Sequence, residues 1–126
     1  MEKFTLEAGN KTPYINFQPD GNLELSGKSI PENSAEFYHP VYEWLDKYAS
    51  EPQSKTVIKI QLEYFNTSSS KCLLDIFRRL ETLAKSGKSD VKVIWIYEEE
   101  DEDMAEAGDD YQTIVKLAFE IRKVEG

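Results

Sequence analysis

Four consecutive hydroxyl-bearing residues, Thr67 to Ser70, are the part of this sequence best suited to chemistry. They follow an apolar alternating segment that ends in Phe65 and Asn66, and they precede Lys71 and an amphipathic helical pattern. A strand that leads directly into a helix leaves the first helical N–H groups unpaired, and the helix dipole adds partial positive charge there. Such a place holds a phosphate well, so the segment predicts a regulatory switch and not a catalytic centre.

Helix capping is the alternative explanation of the same segment. Ser, Thr and Asn are the preferred N-cap residues, and any helix that starts here needs one of them. A cap accounts for one or two hydroxyl groups, whereas four stand in a row between Asn66 and Lys71. The pattern by itself is compatible with both roles.

The elements that position this segment follow from the periodicity of apolar residues. The first predicted helix starts after a capping residue and contains Pro40, which either kinks it or follows a loose first turn. In chain order we expect strands at Phe4–Leu6, Tyr14–Phe17 and Leu23–Leu25, a helix after Asn33 that reaches Tyr48, a strand at Thr56–Phe65, a helix from Cys72 to Ala84 closed by Gly87, a strand at Val91–Tyr97, a helix at Met104–Val115 and a strand at Phe119–Val124.

This order predicts a single α/β domain. Three strands followed by alternating helices and strands indicate a mixed sheet with antiparallel opening strands, parallel later strands and three helices. The carboxyl ends of parallel strands share one edge of the sheet, where ligands and partners usually meet the fold. We therefore expect three segments to converge at this edge: Ser26–Ser34, Asn66–Lys71 and Glu98–Asp110.

The net charge of -9 is concentrated in one segment. Between Glu98 and Asp110 there are nine acids and no Lys or Arg, and removing these nine from the total of 24 leaves 15 acids against 15 bases. The chain has no surplus of positive charge for sequence-independent binding to nucleic acid. We expect this segment to be a solvated loop, with weak binding of a divalent cation as the alternative.

Residue types that usually carry catalysis are sparse. The single cysteine, Cys72, falls on the apolar face of a predicted helix and is expected to be a buried thiol. The single histidine, His39, has no cysteine nearby and is expected at the surface. Trp44 and Trp95 are expected in the core or at a helix flank. No phosphate-cradling glycine loop, signal-peptide pattern or apolar run of roughly 20 residues is present, so we expect a cytosolic protein without catalysis or cofactor.

Three blocks of the sequence resemble the bacterial SiaC-type regulatory phosphoproteins. They are Ile30–Leu45, Phe65–Lys71 and Asp101–Gly108, and the similarity extends nearly from end to end. The resemblance implies one SiaC-type domain over residues 1–126, with a STAS-like fold similar to that of anti-sigma-factor antagonists. It also implies a cytoplasmic role in signal transduction, in cyclic di-GMP signalling and in biofilm regulation, and no enzyme activity.

The same resemblance implies three protein partners and neither nucleic acid nor membrane. A dedicated kinase phosphorylates the protein, a PP2C-type phosphatase restores it, and the unmodified form binds and activates a downstream target, which is a diguanylate cyclase in the best-understood systems. The phosphorylated position falls on Thr67, with the adjacent serines as alternative acceptors. The partner-binding residues are expected to be Glu32, Asn33, Asn66, Thr67, Ser68, Ser69, Ser70 and Lys71.

A mechanism follows for Thr67. We expect unmodified Thr67 to lie in the target interface, and a phosphate of roughly -1.5 to -2 charges to break this contact through desolvation and repulsion of like charges. The helix N-terminus would tolerate the added charge. A constitutive adaptor, whose partner affinity does not respond to changes at Thr67, is the alternative function.

Overall fold

A computed structural model describes residues 1–125. Within them, six strands form one mixed sheet, and neighbouring strands in the sheet are consecutive in the chain. The first three strands pair antiparallel, and the third to the sixth pair parallel. This confirms the predicted α/β class and its antiparallel opening. The elements are β1 (Phe4–Leu6), β2 (Tyr14–Phe17), β3 (Asn22–Ser29), α1 (Ser34–Ser50), β4 (Lys55–Phe65), α2 (Thr67–Lys85), β5 (Asp90–Glu98), α3 (Glu102–Ile114) and β6 (Ala118–Val124).

The three helices cover one face of the sheet. Each parallel crossover advances by one strand in the same direction, and right-handed crossovers then place all of their helices on the same side. Burial along β4 agrees, because Ile58 and Ile60 are fully buried while Lys59 and Gln61, which alternate with them, are exposed. The core therefore lies between the helices and this single face, and it includes Trp44 and Trp95 as expected.

The first helix is continuous through Pro40. Helix α1 runs from Ser34 through Pro40 without interruption, so no loose first turn forms. Its N-cap is Asn33, whose side-chain oxygen accepts from the Glu36 N–H at 3.1 Å, as the sequence predicted. Proline has no N–H to donate to the Glu36 carbonyl, and because both residues are exposed, water can satisfy that group.

The acidic segment is mostly helical, because α3 (Glu102–Ile114) closely matches the helix predicted at Met104–Val115. The separate expectation of a solvated loop is therefore wrong for residues 102–110. The Asp101 side chain caps α3 by accepting from the Met104 N–H at 3.0 Å, and two acids occupy the first turn, where the helix dipole favours them. Met104, Gly108 and Tyr111 are buried against the sheet at helical spacing. These contacts hold the backbone of α3 in place while its carboxylates remain in water.

Candidate phosphorylation and partner-binding site

A β-bulge lies immediately before the hydroxyl segment. Gly27 of β3 pairs with Leu62, but the next residue of β3 pairs with Tyr64, so Glu63 is an extra residue in β4. Gly27 has a φ of 100°, a conformation that other residues rarely adopt. The bulge shifts the alternation of β4, so that Phe65 turns toward the core and Tyr64 is 56% exposed.

Asn66 is the N-cap of α2. Its side-chain oxygen accepts from the Ser69 N–H at 2.9 Å, and its own N–H donates to the Ser29 carbonyl at the end of β3 at 3.1 Å. Thr67 is the first helical residue. The cap is therefore supplied by the amide side chain, and capping explains none of the four hydroxyl groups.

Ser69 belongs to a buried hydrogen-bond network. It is fully buried and donates to the Ser29 carbonyl at 2.9 Å, while the Ser29 hydroxyl donates to Ser69 Oγ at 2.8 Å. Ser29 Oγ also lies 2.6 Å from the hydroxyl of buried Tyr38 on α1. Burial raises the pKa of Tyr38 to about 12, so this phenol keeps its proton. The network fastens the start of α2 to β3 and α1.

Ser68 and Ser70 connect α2 to the other two helices. Ser68 Oγ lies 2.7 Å from Ser34 Oγ at the start of α1 and donates to the Asn66 side chain at 3.1 Å. On the other side, Ser70 Oγ lies 3.0 Å from the Tyr111 hydroxyl, which donates to the Ser70 carbonyl at 2.9 Å. These contacts bring the start of α1, the hydroxyl segment and α3 to one edge, as the topology predicted.

Thr67 differs from the three serines. Thr67 and Ser68 are both exposed, but the Thr67 hydroxyl alone among the four makes no hydrogen bond to any group of residues 1–125. Within that range, the backbone N–H groups of Thr67 and Ser68 also have no protein acceptor. Thr67 thus combines an accessible hydroxyl with unpaired donors at the positive end of a 19-residue helix.

The remaining candidates lie on the same edge or are structural. Glu32 and Asn33 are exposed in the connection between β3 and α1, and Lys71 is exposed one turn after Thr67. Cys72 is buried, as predicted. Tyr111 was not among the predicted site residues, because its apolar position in a weak helical pattern gives no sign that its hydroxyl contacts Ser70.

Other classes of site have no geometric basis in the described part of the chain. His39 is exposed and lies 3.1 Å from Glu43 one turn further along α1. Across residues 1–125, no three His, Cys, Asp or Glu side chains are grouped as metal ligands would be, and the acids of α3 point into solvent individually. Over the same range, each helix is too short or too polar to span a bilayer.

Comparison with known proteins identifies relatives that match nearly the whole chain. The model of the SiaC family of regulatory phosphoproteins matches residues 6–124. An uncharacterized protein of Pseudomonas aeruginosa (strain UCBPP-PA14) is 31% identical over 102 residues, which are 81% of this chain and 80% of that protein.

Two solved structures share the fold. SiaC of Pseudomonas aeruginosa superposes with a TM-score of 0.88 at 28% identity, covering 98% of this chain and 100% of that one. A second match is to a chain in the crystal structure of the diguanylate cyclase SiaD in complex with its activator SiaC, from the same organism. It has a TM-score of 0.87 at 30% identity and covers 96% of this chain and 99% of that one. With the family model matching residues 6–124, these findings show that the chain belongs to the SiaC family of regulatory phosphoproteins.

Proposed function

We propose that this chain is a cytoplasmic, non-catalytic signalling protein that binds and activates a diguanylate cyclase until Thr67 is phosphorylated. A kinase and a PP2C-type phosphatase set the modification state. SiaC of Pseudomonas aeruginosa, which is similar in sequence and fold, is an activator of the cyclase SiaD. The observation that carries the choice of residue is that Thr67 is the exposed hydroxyl outside the hydrogen-bond network formed by its three serine neighbours.

Accessibility and hydrogen bonding together separate the four possible acceptors. A kinase needs to place the acceptor hydroxyl in its own active site, and Thr67 allows this without breaking a side-chain hydrogen bond within residues 1–125. Phosphorylation of fully buried Ser69 would first require the start of α2 to separate from Ser29. Ser70 is half-buried against Tyr111, and Ser68 is held between Ser34 and the Asn66 cap.

The buried serine keeps a positioning role in this proposal. Ser69 was expected among the partner-binding residues, and its burial supports an indirect contribution in which it holds Thr67 and Ser68 at the surface. Glu32, Asn33, Asn66 and Lys71 surround this surface and are proposed to contact partners directly.

The phosphate acts mainly on the target complex. A phosphate at Thr67 lies at a helix N-terminus, so the folded chain accommodates its charge. Burying the same charge in an interface costs several kcal/mol, the effective penalty for removing an ion from water. Since about 1.4 kcal/mol is a tenfold change in affinity, a penalty of about 3 kcal/mol or more weakens target binding about 100-fold or more.

Binding and activation assays with three forms of the chain test this function. The partner is found by screening the diguanylate cyclases of the source organism for binding to the unmodified chain. We expect wild type and Thr67→Ala to bind it and raise its activity, and Thr67→Asp to bind it about 100-fold more weakly. Thr5→Asp is the matched control, because it makes the same substitution at an exposed threonine of β1 outside the proposed site, and its affinity should stay within about twofold of wild type.

Three other results would each lead to a different conclusion. Equal binding by wild type, Thr67→Ala and Thr67→Asp would favour the constitutive adaptor, because partner affinity would not respond to the charge at Thr67. Loss of binding in Thr67→Ala as complete as in Thr67→Asp would instead identify a specific contact made by the hydroxyl. Absence of any cyclase that binds the unmodified chain would refute the proposed target class.

A further inference from the structure

We infer that two copies of this chain pair through the free edge of β6, which joins their two sheets into one. Strand β6 lies at the end of the strand order, and within residues 1–125 it pairs with a strand on one side only, namely β5. A strand edge that lacks a neighbour is a template for pairing with another chain. This surface is separate from the Thr67 site, so the inference does not depend on the proposed function.

Alternate residues of β6 direct their backbone groups toward the free edge. The carbonyl of Val124 accepts from the Glu99 N–H at 2.9 Å on the β5 side. In a strand, the N–H and C=O of one residue point the same way, and those of the next residue point the opposite way. Because the register of β6 is unbroken, the backbone groups of Phe119, Ile121 and Lys123 point outward. The Phe119 carbonyl agrees, since it accepts from a side chain of α3 at 3.4 Å.

A two-fold axis at Ile121 pairs all of these outward groups. In this antiparallel register, Ile121 lies opposite Ile121 of the second copy, and Phe119 lies opposite Lys123 of the second copy. Each is a hydrogen-bonded pair, in which the two residues exchange both of their N–H···O bonds. The second copy's N–H replaces the long side-chain contact at the Phe119 carbonyl. Every outward N–H and C=O of these residues therefore gains a partner.

The same register places opposite charges against each other. Glu120 and Arg122 lie on the face of the sheet away from the helices, where Glu120 Oε2 accepts from Arg122 Nε at 2.8 Å. Around the axis, Glu120 of each copy lies opposite Arg122 of the other. These are non-hydrogen-bonded pairs, whose Cα atoms are about 4.5 Å apart and whose side chains are closest. The guanidinium is a fork of several N–H donors, so it binds its own glutamate and the second copy's together.

Neighbouring registers are less favourable. Moving the axis by one residue places either Glu120 opposite Glu120 or Arg122 opposite Arg122, and like charges directly opposite each other are destabilising. Moving it by half a residue pairs outward backbone groups with groups that already bond to β5. The charge pattern therefore selects the axis at Ile121 and a closed, isologous dimer.

The helical face of β6 is also complementary in this register. Phe119 and Ile121 pack against the core on this face, so Ile121 meets its symmetry mate as an apolar pair. Lys123 of the second copy lies opposite Phe119 and covers the ring with its aliphatic stem. Its ammonium then lies beside α3, where Gln112 contacts Phe119 and exposed Asp109 lies on the same side one turn earlier.

Sedimentation equilibrium of the chain by itself tests this inference. Wild type should shift from monomer to dimer in a series from about 1 μM to 1 mM, which spans the affinities of small interfaces. Glu120→Arg and Arg122→Glu each place like charges opposite each other at both symmetric contacts, so each should self-associate at least about tenfold more weakly. Lys59→Glu is the matched control, because Lys59 is exposed in β4 inside the sheet, and it should associate within about twofold of wild type.

A mixture of the two charge variants separates a broken contact from a damaged fold. In a mixed dimer of Glu120→Arg with Arg122→Glu, positions 120 and 122 again carry opposite charges across the axis at both contacts. We expect the equimolar mixture to associate about tenfold more tightly than either variant alone. Variants that had simply lost their fold would not recover on mixing.

Amide hydrogen exchange locates the contact on β6. The N–H groups of Glu120 and Arg122 face β5 and should be protected at every protein concentration. Those of Phe119, Ile121 and Lys123 should exchange rapidly in the dilute monomer and slow down as the dimer forms. This alternation is specific to pairing through the free edge.

Three results would overturn the inference. The first is a wild-type chain that remains monomeric up to about 1 mM. The second is a dimer that both charge variants form as tightly as wild type, or a mixture of them that does not associate. The third is a dimer in which exchange of the three outward N–H groups is independent of concentration, because another surface would then form it. None of these results bears on cyclase binding, so the proposed function keeps its own test.

Discussion

Replacing Gly108 by alanine should destabilise the protein, although alanine is the better helix former. At an exposed position in a helix, Gly→Ala stabilises by about 1 kcal/mol. At position 108, however, the new Cβ would stand 2.5 Å from Cδ1 and 2.8 Å from Nε1 of Trp95. The indole is fully buried and donates to the Met104 carbonyl at 2.9 Å, so it cannot move aside without loss.

The magnitude follows from three contributions. Overpacking a core costs about 1 to 3 kcal/mol. Displacing the indole of Trp95 weakens a buried hydrogen bond worth about 1 kcal/mol. After the gain of about 1 kcal/mol in helix propensity, the net loss is about 1 to 3 kcal/mol, or roughly 3 to 15 °C in melting temperature for a domain of this size.

Urea denaturation followed by circular dichroism and tryptophan fluorescence measures this loss. Asp109→Ala is the matched control, since Asp109 is exposed in the same helix and its replacement should change the free energy of unfolding by less than about 0.5 kcal/mol. A Gly108→Ala protein as stable as wild type would show that α3 is not docked on Trp95 as described. The position of α3 beside the hydroxyl segment would then lose its structural basis.

Further measurements address groups away from Thr67. Glu81 is buried and accepts from the Lys116 N–H at 2.6 Å, and this bond, followed by the nearby arginine, holds its pKa below the ordinary value of 4.5. The contribution of Glu81 to stability is therefore present above pH 4.5 and is lost as the pH falls through the lowered pKa. We expect Glu81→Ala to lower the free energy of unfolding by about 1 to 3 kcal/mol at pH 7 and by less in acid, as measured by urea denaturation. Burial raises the pKa of Tyr38 to about 12 and also raises the pKa of Tyr42 and Tyr111 above 10, so an ultraviolet titration should show fewer tyrosinates near pH 10.5 in the folded protein than in urea. Equal titration curves in the two states would contradict the buried network, which should also make stability fall as the pH rises from 10 toward 12.

The sequence was sufficient to predict the elements and their order, because the apolar periodicity is strong and the connections are short. The Asn33 cap and the closing Gly87 were also predictable, since both depend on local chemistry. The convergence of the hydroxyl segment with the start of α1 followed from topology alone, and the contact between Ser68 and Ser34 confirms it.

The finer features depend on contacts between distant residues. The bulge at Glu63 arises from pairing with β3, and nothing in the alternating pattern of β4 marks it. The charges of the acidic segment suggested a solvated loop, although the apolar pattern predicted a helix from Met104 to Val115, close to the observed α3. The packing of Gly108 against Trp95 is a tertiary contact that the sequence does not show. The four hydroxyl residues likewise look equivalent in the sequence and become distinct only through their tertiary partners.

The most direct test of the central claim is phosphopeptide mapping by mass spectrometry on the chain isolated from its native cells with phosphatase activity blocked. The fragmentation must separate Thr67 from Ser68, Ser69 and Ser70. The exposed and unbonded hydroxyl of Thr67 predicts phosphate on that residue. Phosphate confined to a serine, or no phosphate on this segment under several growth conditions, would contradict the proposed switch.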